Sequence, residues 1–579
     1  MTAILPTPAP TANADIDREL TQLHEAAVRW AALPVAAKIE LLAAVAHNTS
    51  HLARRWTEAA AEAKGLTGTR LAGEEAISGP WALIRSLNLY ITTLREIEQF
   101  GSPQVDVKRV HTRPGGQVVV DVFPTDFYDK ILLNGVRGEV WMQPGVTAAT
   151  VAQTTGLWYR QETHEPRVAL ILGAGNIASI APLDVLYKLV AEGAVCILKM
   201  NPVNQYLGPI LEDAFKPIVD GGFLRFAYGG AEAGKYLCAH PLVDEIHITG
   251  SDKTHDAIVF GDGPDAADRK ARNEPLLTKP ITSELGNISP TIVVPGNWND
   301  ADIAFQAEHI ATQKLHNGGF NCIASQVLIV PADWDCTPKL IASVDDMMRH
   351  ALDRPAYYPG AAKRVETLCA NHDGVRRFGK ESDGFTARTV VRADATDLAE
   401  PNFTVEAFSS VLTIVTIPGD TEAYLRAAVD FANDRLWGTL GGNIIVHPAT
   451  AREHAKALDD AIAGMRYGCV GVNAWTGVGF LLCETTWGAF PGHTLNDVRS
   501  GIGVVHNSHL FSKAQKSVVY APFAPYPRSI LGYGMTLLPK PPWFINNRHA
   551  AEIGDALCVF EAHKTVGNVL RVALLAMTA

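Results

Sequence analysis

Residues 167–199 read RVALILGAGNIASIAPLDVLYKLVAEGAVCILK. Two short apolar runs, RVALIL and AVCILKM, bracket a stretch whose apolar residues recur at helical spacing, and small residues mark each junction. The reading is strand, helix, strand. The alternation continues through helix QYLGPILEDAF, strand FLRFAYG, helix AEAGKYLCAH and strand DEIHITG, which ends at Gly250. Such a series predicts an α/β fold with a parallel sheet and right-handed crossovers, and ligands at the carboxyl ends of its strands.

Working outward, residues 1–14 are rich in Pro, Thr and Ala and are expected to form a flexible leader. Asp15 to Gly65 reads as alanine-rich amphipathic helices. From about residue 117 the period changes to that of strands, in GQVVVDVF and around ILLNGVRGEVWMQPGV, where Asn134-Gly135 predicts a hairpin turn. The polar stretch 253–280 reads as a surface excursion, and a second α/β block runs from 283 to about 500. A Pro-rich tail with PYP and PKPPWF follows, then a closing helix, NVLRVALLAMTA, too short and too broken by Arg571 to span a bilayer.

With 579 residues, 47% of them hydrophobic and 19% charged, the chain can build more than one core. Its net charge of −11 and the absence of a long basic run argue against nucleic acid as a partner. Eight cysteines without a C-x-x-C or Cys/His cluster suit a reduced compartment and no metal centre. No secretory signal and no long apolar span is apparent, so a cytoplasmic protein is expected.

Three local motifs carry chemistry. Gly173-Ala174-Gly175-Asn176-Ile177-Ala178 fits the G-x-G-x-x-A pattern of a dinucleotide turn, or a tight strand-to-helix turn without ligand. The following strand ends in Lys199 rather than in an acid, which suits a 2′-phosphate. Asn317-Gly318-Gly319-Phe320-Asn321-Cys322 presents a thiol in a glycine-rich loop, where backbone N–H dipoles are expected to lower its pKa. An inert buried cysteine is the plain alternative; a papain-like protease lacks its signature. Thr282-Ser283-Glu284-Leu285-Gly286-Asn287 places a carboxylate among apolar neighbours, where desolvation lifts it toward the general-base range.

Together these segments resemble the aldehyde dehydrogenase superfamily, whose motifs occur in the family's order from about residue 167 to 492. ITSELGNISP is similar to its general-base motif, NGGFNCIA to its catalytic-cysteine motif, and VEAFSSVL to its E-x-F-G-P-V motif. The resemblance implies a Rossmann-type cofactor domain from 15–125 and 165–282, a hairpin for oligomerisation over 126–164 and a catalytic domain over 283–500; the 253–280 excursion and a C-terminal extension over 501–579 have no counterpart in it. It implies Cys322 as nucleophile, Glu284 as base and Asn176 as oxyanion donor, so that the glycine-rich turn belongs to the oxyanion hole. It also implies Lys199, Gly230, Gly234, Gly250, Ser251, Glu406 and Phe408 as ligands of NAD or NADP. The activity implied is oxidation of an aldehyde to a carboxylic acid by a homodimer or homotetramer without a metal.

Several positions depart from the family's pattern: Pro202 for an acidic ribose ligand, His255 for a glycine of the pyrophosphate motif, Asn287-Ile288 for Gly-Lys and Ser409-Ser410 for Gly-Pro. These leave NADP open as the cofactor. They also leave two rivals, a coenzyme A-acylating enzyme and a catalytically silent scaffold on the same fold. Trp475, Phe480 and Trp487 are candidates for an aromatic substrate funnel or for plain core.

Overall fold

The computed structural model describes residues 7–531 and 536–578. The first six residues of the expected leader, residues 532–535 of the expected extension, and Ala579 lie outside the described residues. Two sheets organise the rest. The smaller has six strands in the order Gly501–Ile502, Ile281–Leu285, Glu245–Gly250, Val168–Leu172, Val195–Lys199 and Leu224–Ala227. All but the first pair are parallel. Its central strands are apolar on both faces because helices cover both, as a parallel sheet requires. Helix Ile180–Ala191 is buried over nearly its whole length. The N-terminal helix Asn13–Ala31 docks through Trp30, whose indole donates to the Leu189 carbonyl at 3.1 Å.

The larger sheet has eleven strands, of which the seven from Ala514–Tyr520 to Arg388–Arg392 run parallel. The chain crosses from one sheet to the other between Leu285 and Ser289. Carboxyl ends of the first sheet's strands face amino ends of the second's. Leu172, Lys199, Gly250 and Leu285 close the former, and Cys322, Glu406 and Phe408 precede the latter at Ser325 and Val411. The expectation of a site at carboxyl ends therefore holds for one sheet only.

The readings of the Asn134-Gly135 turn and of the segment after residue 500 are corrected. The Asn134-Gly135 segment does not join two strands. Asp126 caps a helix, Phe127–Leu132, by accepting from the Asp129 N–H at 2.8 Å, and the antiparallel partner of Arg137–Met142 is Val118–Phe123. Residues 143–164 contain two 3₁₀ turns and one isolated bridge, from Thr155 to Phe511. On its other edge Arg137–Met142 pairs with Ala514–Tyr520 of the same chain, so the hairpin extends this chain's own sheet. Residues 501–520 are likewise no appendage, since they supply strands to both sheets.

The leader is ordered from residue 7 onward: Thr11 donates its N–H to the Tyr228 carbonyl at 3.1 Å and accepts the Tyr228 N–H at 2.9 Å. The excursion 253–280 is largely helical, with Asp252–Phe260 capped by Ser251 and a second helix, Ala266–Arg272. Helix Ala550–Ala562 crosses Ala72–Ala76 at a point where a Cβ on Gly73 would lie 2.2 Å from the Ala550 carbonyl oxygen. Backbone cannot yield there as a side chain would. Gly73→Ala should therefore pry this helix loose and cost about 1–3 kcal/mol, read as a lower urea midpoint and faster proteolytic release of the segment after Phe544.

Candidate active site

Between the sheets lies a cavity of about 820 Å³ lined by Asn176, Lys199, Gly230, Gly234, Gly250, Ser251, Glu284, Cys322, Glu406 and Phe408. All ten residues given catalytic or cofactor roles from the sequence thus share one cavity. Its glycines leave room: a Cβ on Gly230 or Gly234 would meet nothing within 4 Å, and on Gly250 nothing nearer than 3.6 Å. Ser251 caps helix Asp252–Phe260, accepting from the Thr254 N–H at 3.2 Å, and the free N–H groups of that helix end suit a phosphate. Lys199 closes its strand at the wall, and burial lowers its ammonium pKa. His255 is fully buried on the same helix and is not among the lining residues, so this departure leaves the cavity wall unchanged.

The reactive end depends on a loop that only glycine can form. Asn317, Gly318 and Gly319 all have positive φ, and a Cβ on Gly319 would lie 2.2 Å from the Ser409 carbonyl oxygen. This turn sets Cys322 at the cavity with Glu284 facing it. Burial pushes the Glu284 carboxyl up to about 8, and the nearby Asp184 and Glu406 add to the effect. The Cys322 thiol is driven higher still, by burial first and then by Glu284. The expectation of a thiol pKa lowered by backbone dipoles is therefore reversed, because desolvation outweighs those dipoles. Of the two groups the carboxyl ionises more readily and can take the thiol proton.

Asn176 sits in the turn after Val168–Leu172, and helix starts only at Ile180. Its side-chain amide donates to the Phe320 carbonyl at 2.9 Å, which aims it at the cysteine loop. The backbone oxygen of Asn176 accepts from Lys64 Nζ at 2.9 Å, Tyr357 at 3.0 Å and Asn317 Nδ2 at 3.1 Å. Lys64 in turn pairs with Glu75 at 2.8 Å, and Glu74 pairs with Arg354 at 2.9 Å while accepting the Asn317 N–H. Of these supporting residues only Asn317 was singled out from the sequence. The available signal was the acidic pair in AGEEAISGP, which stands in an apolar stretch.

Glu406 accepts the Asn287 N–H at 3.1 Å, and burial raises its carboxyl pKa to about 8. Gly286 is required beside it, since a Cβ there would stand 2.2 Å from Glu406 Oε2. Asn287 makes this departure from the family pattern structural: its amide donates to Ser289 at 2.9 Å and to the Gly441 carbonyl at 2.8 Å. Phe408 has φ of 36° and is held by Arg364, which donates to the Ala407 and Phe408 carbonyls at 3.1 and 3.0 Å. Trp475, Phe480 and Trp487 belong to one apolar cluster with Cys322.

The model of the aldehyde dehydrogenase family matches residues 168–480, more than half of the chain. The chain belongs to the aldehyde dehydrogenase family. It is 30% identical over 162 residues to the aldehyde dehydrogenase LUC3 of Fusarium sp, covering 28% of this chain and 32% of that protein. It is 26% identical over 331 residues to the peroxisomal aminoaldehyde dehydrogenase 1 of Malus domestica, covering 54% and 58%. The matched stretches thus span about a third to somewhat over half of these relatives. The structure of a salicylaldehyde dehydrogenase from Pseudomonas putida G7 superposes with a TM-score of 0.59 at 18% identity, covering 90% of this chain and 93% of the other, which is a likeness of fold.

Two outcomes follow from this site. Lys64→Met leaves Glu75 buried without its cation and should cost about 3–5 kcal/mol in urea unfolding. Unfolded Glu284 loses its proton near 4.5 and the folded residue only near 8. The unfolded state therefore sheds protons first, and the Glu284 contribution to stability falls as pH rises through that window. Glu284→Gln removes the fall: the variant should gain about 2–4 kcal/mol on the native protein between acidic and mildly alkaline pH, in paired denaturation curves.

Proposed function

We propose that the protein oxidises an aldehyde to a carboxylic acid with NAD or NADP. The observation that carries this reading is Cys322 facing Glu284 at one end of a cavity whose remaining walls suit a dinucleotide. The residues present fit that cofactor. Gly230, Gly234 and Gly250 leave open floor, Ser251 heads a helix at the phosphate position, and Glu406 supplies a buried carboxyl for the ribose hydroxyls beside Phe408. When bound, the nicotinamide supplies the two-electron acceptor for the oxidation.

The chain's own residues account for the other events. Glu284 takes the proton of the Cys322 thiol and gives it up to solvent before water is activated, and the sulfur bonds to the aldehyde carbon. The oxygen gains negative charge as that bond forms, and the Asn176 side-chain amide with the Cys322 N–H meets it. After oxidation the acyl group is held on Cys322 as a thioester. Glu284 then removes a proton from water, whose oxygen attacks the acyl carbon; the carboxylic acid leaves and the thiol returns. A base placed to activate water favours hydrolysis over transfer to coenzyme A, which would need the thioester shielded from water.

Lys199, Lys235 and Lys253 line the cavity, and position 202 is Pro rather than an acid, so a 2′-phosphate is accommodated electrostatically. A homodimer or homotetramer in the cytoplasm completes the reading. With the hairpin's inner edge taken by Ala514–Tyr520, subunits would meet elsewhere, for example at the short edge strand Val110–Thr112.

The test is a panel of short, long and aromatic aldehydes with each dinucleotide, with and without coenzyme A, followed by absorbance of the reduced cofactor. Turnover without coenzyme A is expected, with NADP accepted; turnover only with coenzyme A would replace the reading by acyl transfer. Cys322→Ala should abolish turnover and keep cofactor binding. Glu284→Gln should keep an initial burst and lose most of the steady rate, by about 100-fold or more.

A further inference from the structure

Three strands at one margin of the larger sheet carry a group of side chains that the reaction above does not use. Strand Val118–Phe123 pairs antiparallel with Val110–Thr112 on one side and with Arg137–Met142 on the other. His111 stands opposite Val119, and Asp121 stands opposite Glu139. Residues opposite one another, and alternate residues of one strand, project from the same face of a sheet. Val119 and Asp121 alternate, so His111, Asp121 and Glu139 come from three neighbouring strands and share a face. A ring nitrogen of His111 and one carboxylate oxygen each of Asp121 and Glu139 all lie within 4.8 Å of one another. None of the three residues lines the cavity that holds Cys322.

The Asp121 carboxylate is short of partners. Its Oδ1 is buried and has no hydrogen-bond partner among the described residues. Three arginines stand on these strands or beside them, and each is committed elsewhere. Arg109 donates to the backbone carbonyls of Asp121 and Pro124 at 3.2 and 2.7 Å. Arg113 lies 3.8 Å over the Trp141 ring and pairs with Asp459 at 2.7 Å, while Arg137 meets Glu139 Oε1 at 3.2 Å. A buried carboxylate oxygen without a donor is costly and calls for a cation.

Glu139, by contrast, is 4% exposed and held in place, since Trp141 Nε1 donates to its Oε2 at 2.9 Å. An anchored carboxylate, an unpartnered one and an imidazole form a nitrogen-and-oxygen donor set that suits zinc. The Trp141 hydrogen bond orients one ligand from behind, as outer-shell groups of metal sites do. Burial falls from Glu139 through Asp121 to the exposed His111, which leaves a path for an ion from the His111 side. Zinc holds nitrogen and oxygen at about 2.0–2.2 Å, so the side chains of His111 and Asp121 close on it by rotation.

We propose that His111, Asp121 and Glu139 bind one zinc ion, with water completing its shell, and that the ion pins the last strand of the larger sheet to the two behind it. Val110–Thr112 is the end strand of eleven and only three residues long, so its ladder is short. It shares no ladder with Arg137–Met142, and the ion would join the two across Val118–Phe123. Binding exchanges waters of zinc for one neutral imidazole nitrogen and two carboxylate oxygens and transfers no electron. Nothing in it depends on the aldehyde chemistry.

The test uses the full chain, stripped with EDTA and exchanged into buffer free of chelator. Calorimetric titration with zinc should give one site per chain on a Cys322→Ala background, which keeps the catalytic thiol from competing. His111→Gln and Asp121→Asn should each lower the affinity tenfold or more, since even outer-shell changes cost roughly 10–100-fold. Cobalt(II) in place of zinc should show the weak visible bands of nitrogen and oxygen ligands without thiolate absorption in the near ultraviolet. Zinc should also slow amide hydrogen exchange over residues 107–123 in the native chain and in neither variant. Asp121→Asn separates binding from folding. Without zinc it should unfold at the same urea concentration as the native chain or a higher one, because an unpartnered carboxylate is gone; with zinc the order should reverse.

A native chain that takes up no zinc overturns the proposal. Affinities of both variants within about twofold of native overturn it too, as does a cobalt spectrum of thiolate ligands, which would mark an adventitious ion on cysteine. Unchanged exchange over 107–123 in the zinc-saturated native chain would overturn the pinning of the strand.

Discussion

The position of the active-site loops hangs on one buried ammonium. Lys64 ends the helix Val35–Ala63 and is 3% exposed. It reaches both oxygens of Glu75, the backbone oxygen of Asn176 and the side chain of Asn317, all within 3.1 Å. These four acceptors come from the helical layer, the turn after the first strand of the smaller sheet, and the cysteine loop. A buried charge tolerates no missing partner, so the ammonium fixes three segments relative to one another. Arg354 and Glu74 repeat the device one residue away, where Glu74 also takes the Asn317 N–H. The cysteine loop has no regular structure of its own and borrows rigidity from these charges.

That rigidity supports a site which works against the protein's stability. Three ionisable groups, Cys322, Glu284 and Glu406, share a cavity in which burial drives every one of them toward its neutral form. In water such groups would ionise independently and cheaply. Here the dry surroundings make proton movement between neighbours easier than charge separation, which is the condition that a thiol nucleophile and a carboxyl base need in common. The price is borne by the two sheets, whose apolar strands surround the site.

Much of this was legible in the sequence, for definable reasons. Strand and helix periods over 167–250 are strong because both faces of those strands are buried, and the site motifs are local strings whose glycines answer to local sterics. Lys64 and Glu74 were not legible, since their meaning lies in partners more than a hundred residues away, and Glu75 takes its meaning from Lys64. The turn at Asn134-Gly135 misled because a hairpin dipeptide was weighed without the Asp126 cap that starts a helix before it. The tail misled in the other direction. Its prolines suggested coil, while AQKSVVY carried a strand whose alternation was too short to stand out.

Strand Ala514–Tyr520 lies between Cys469–Val472 and Arg137–Met142. Its place in the sheet dictates an order of assembly on the ribosome. The hairpin is made early and its neighbour hundreds of residues later, an interval of tens of seconds at roughly 5–20 residues per second. Throughout that time two unpaired edges stand open, each ready to accept a foreign strand. The large sheet can close only when the last part of the chain has emerged, so this fold is completed from its end, and nascent chains stalled before residue 514 would be the form most in need of a chaperone.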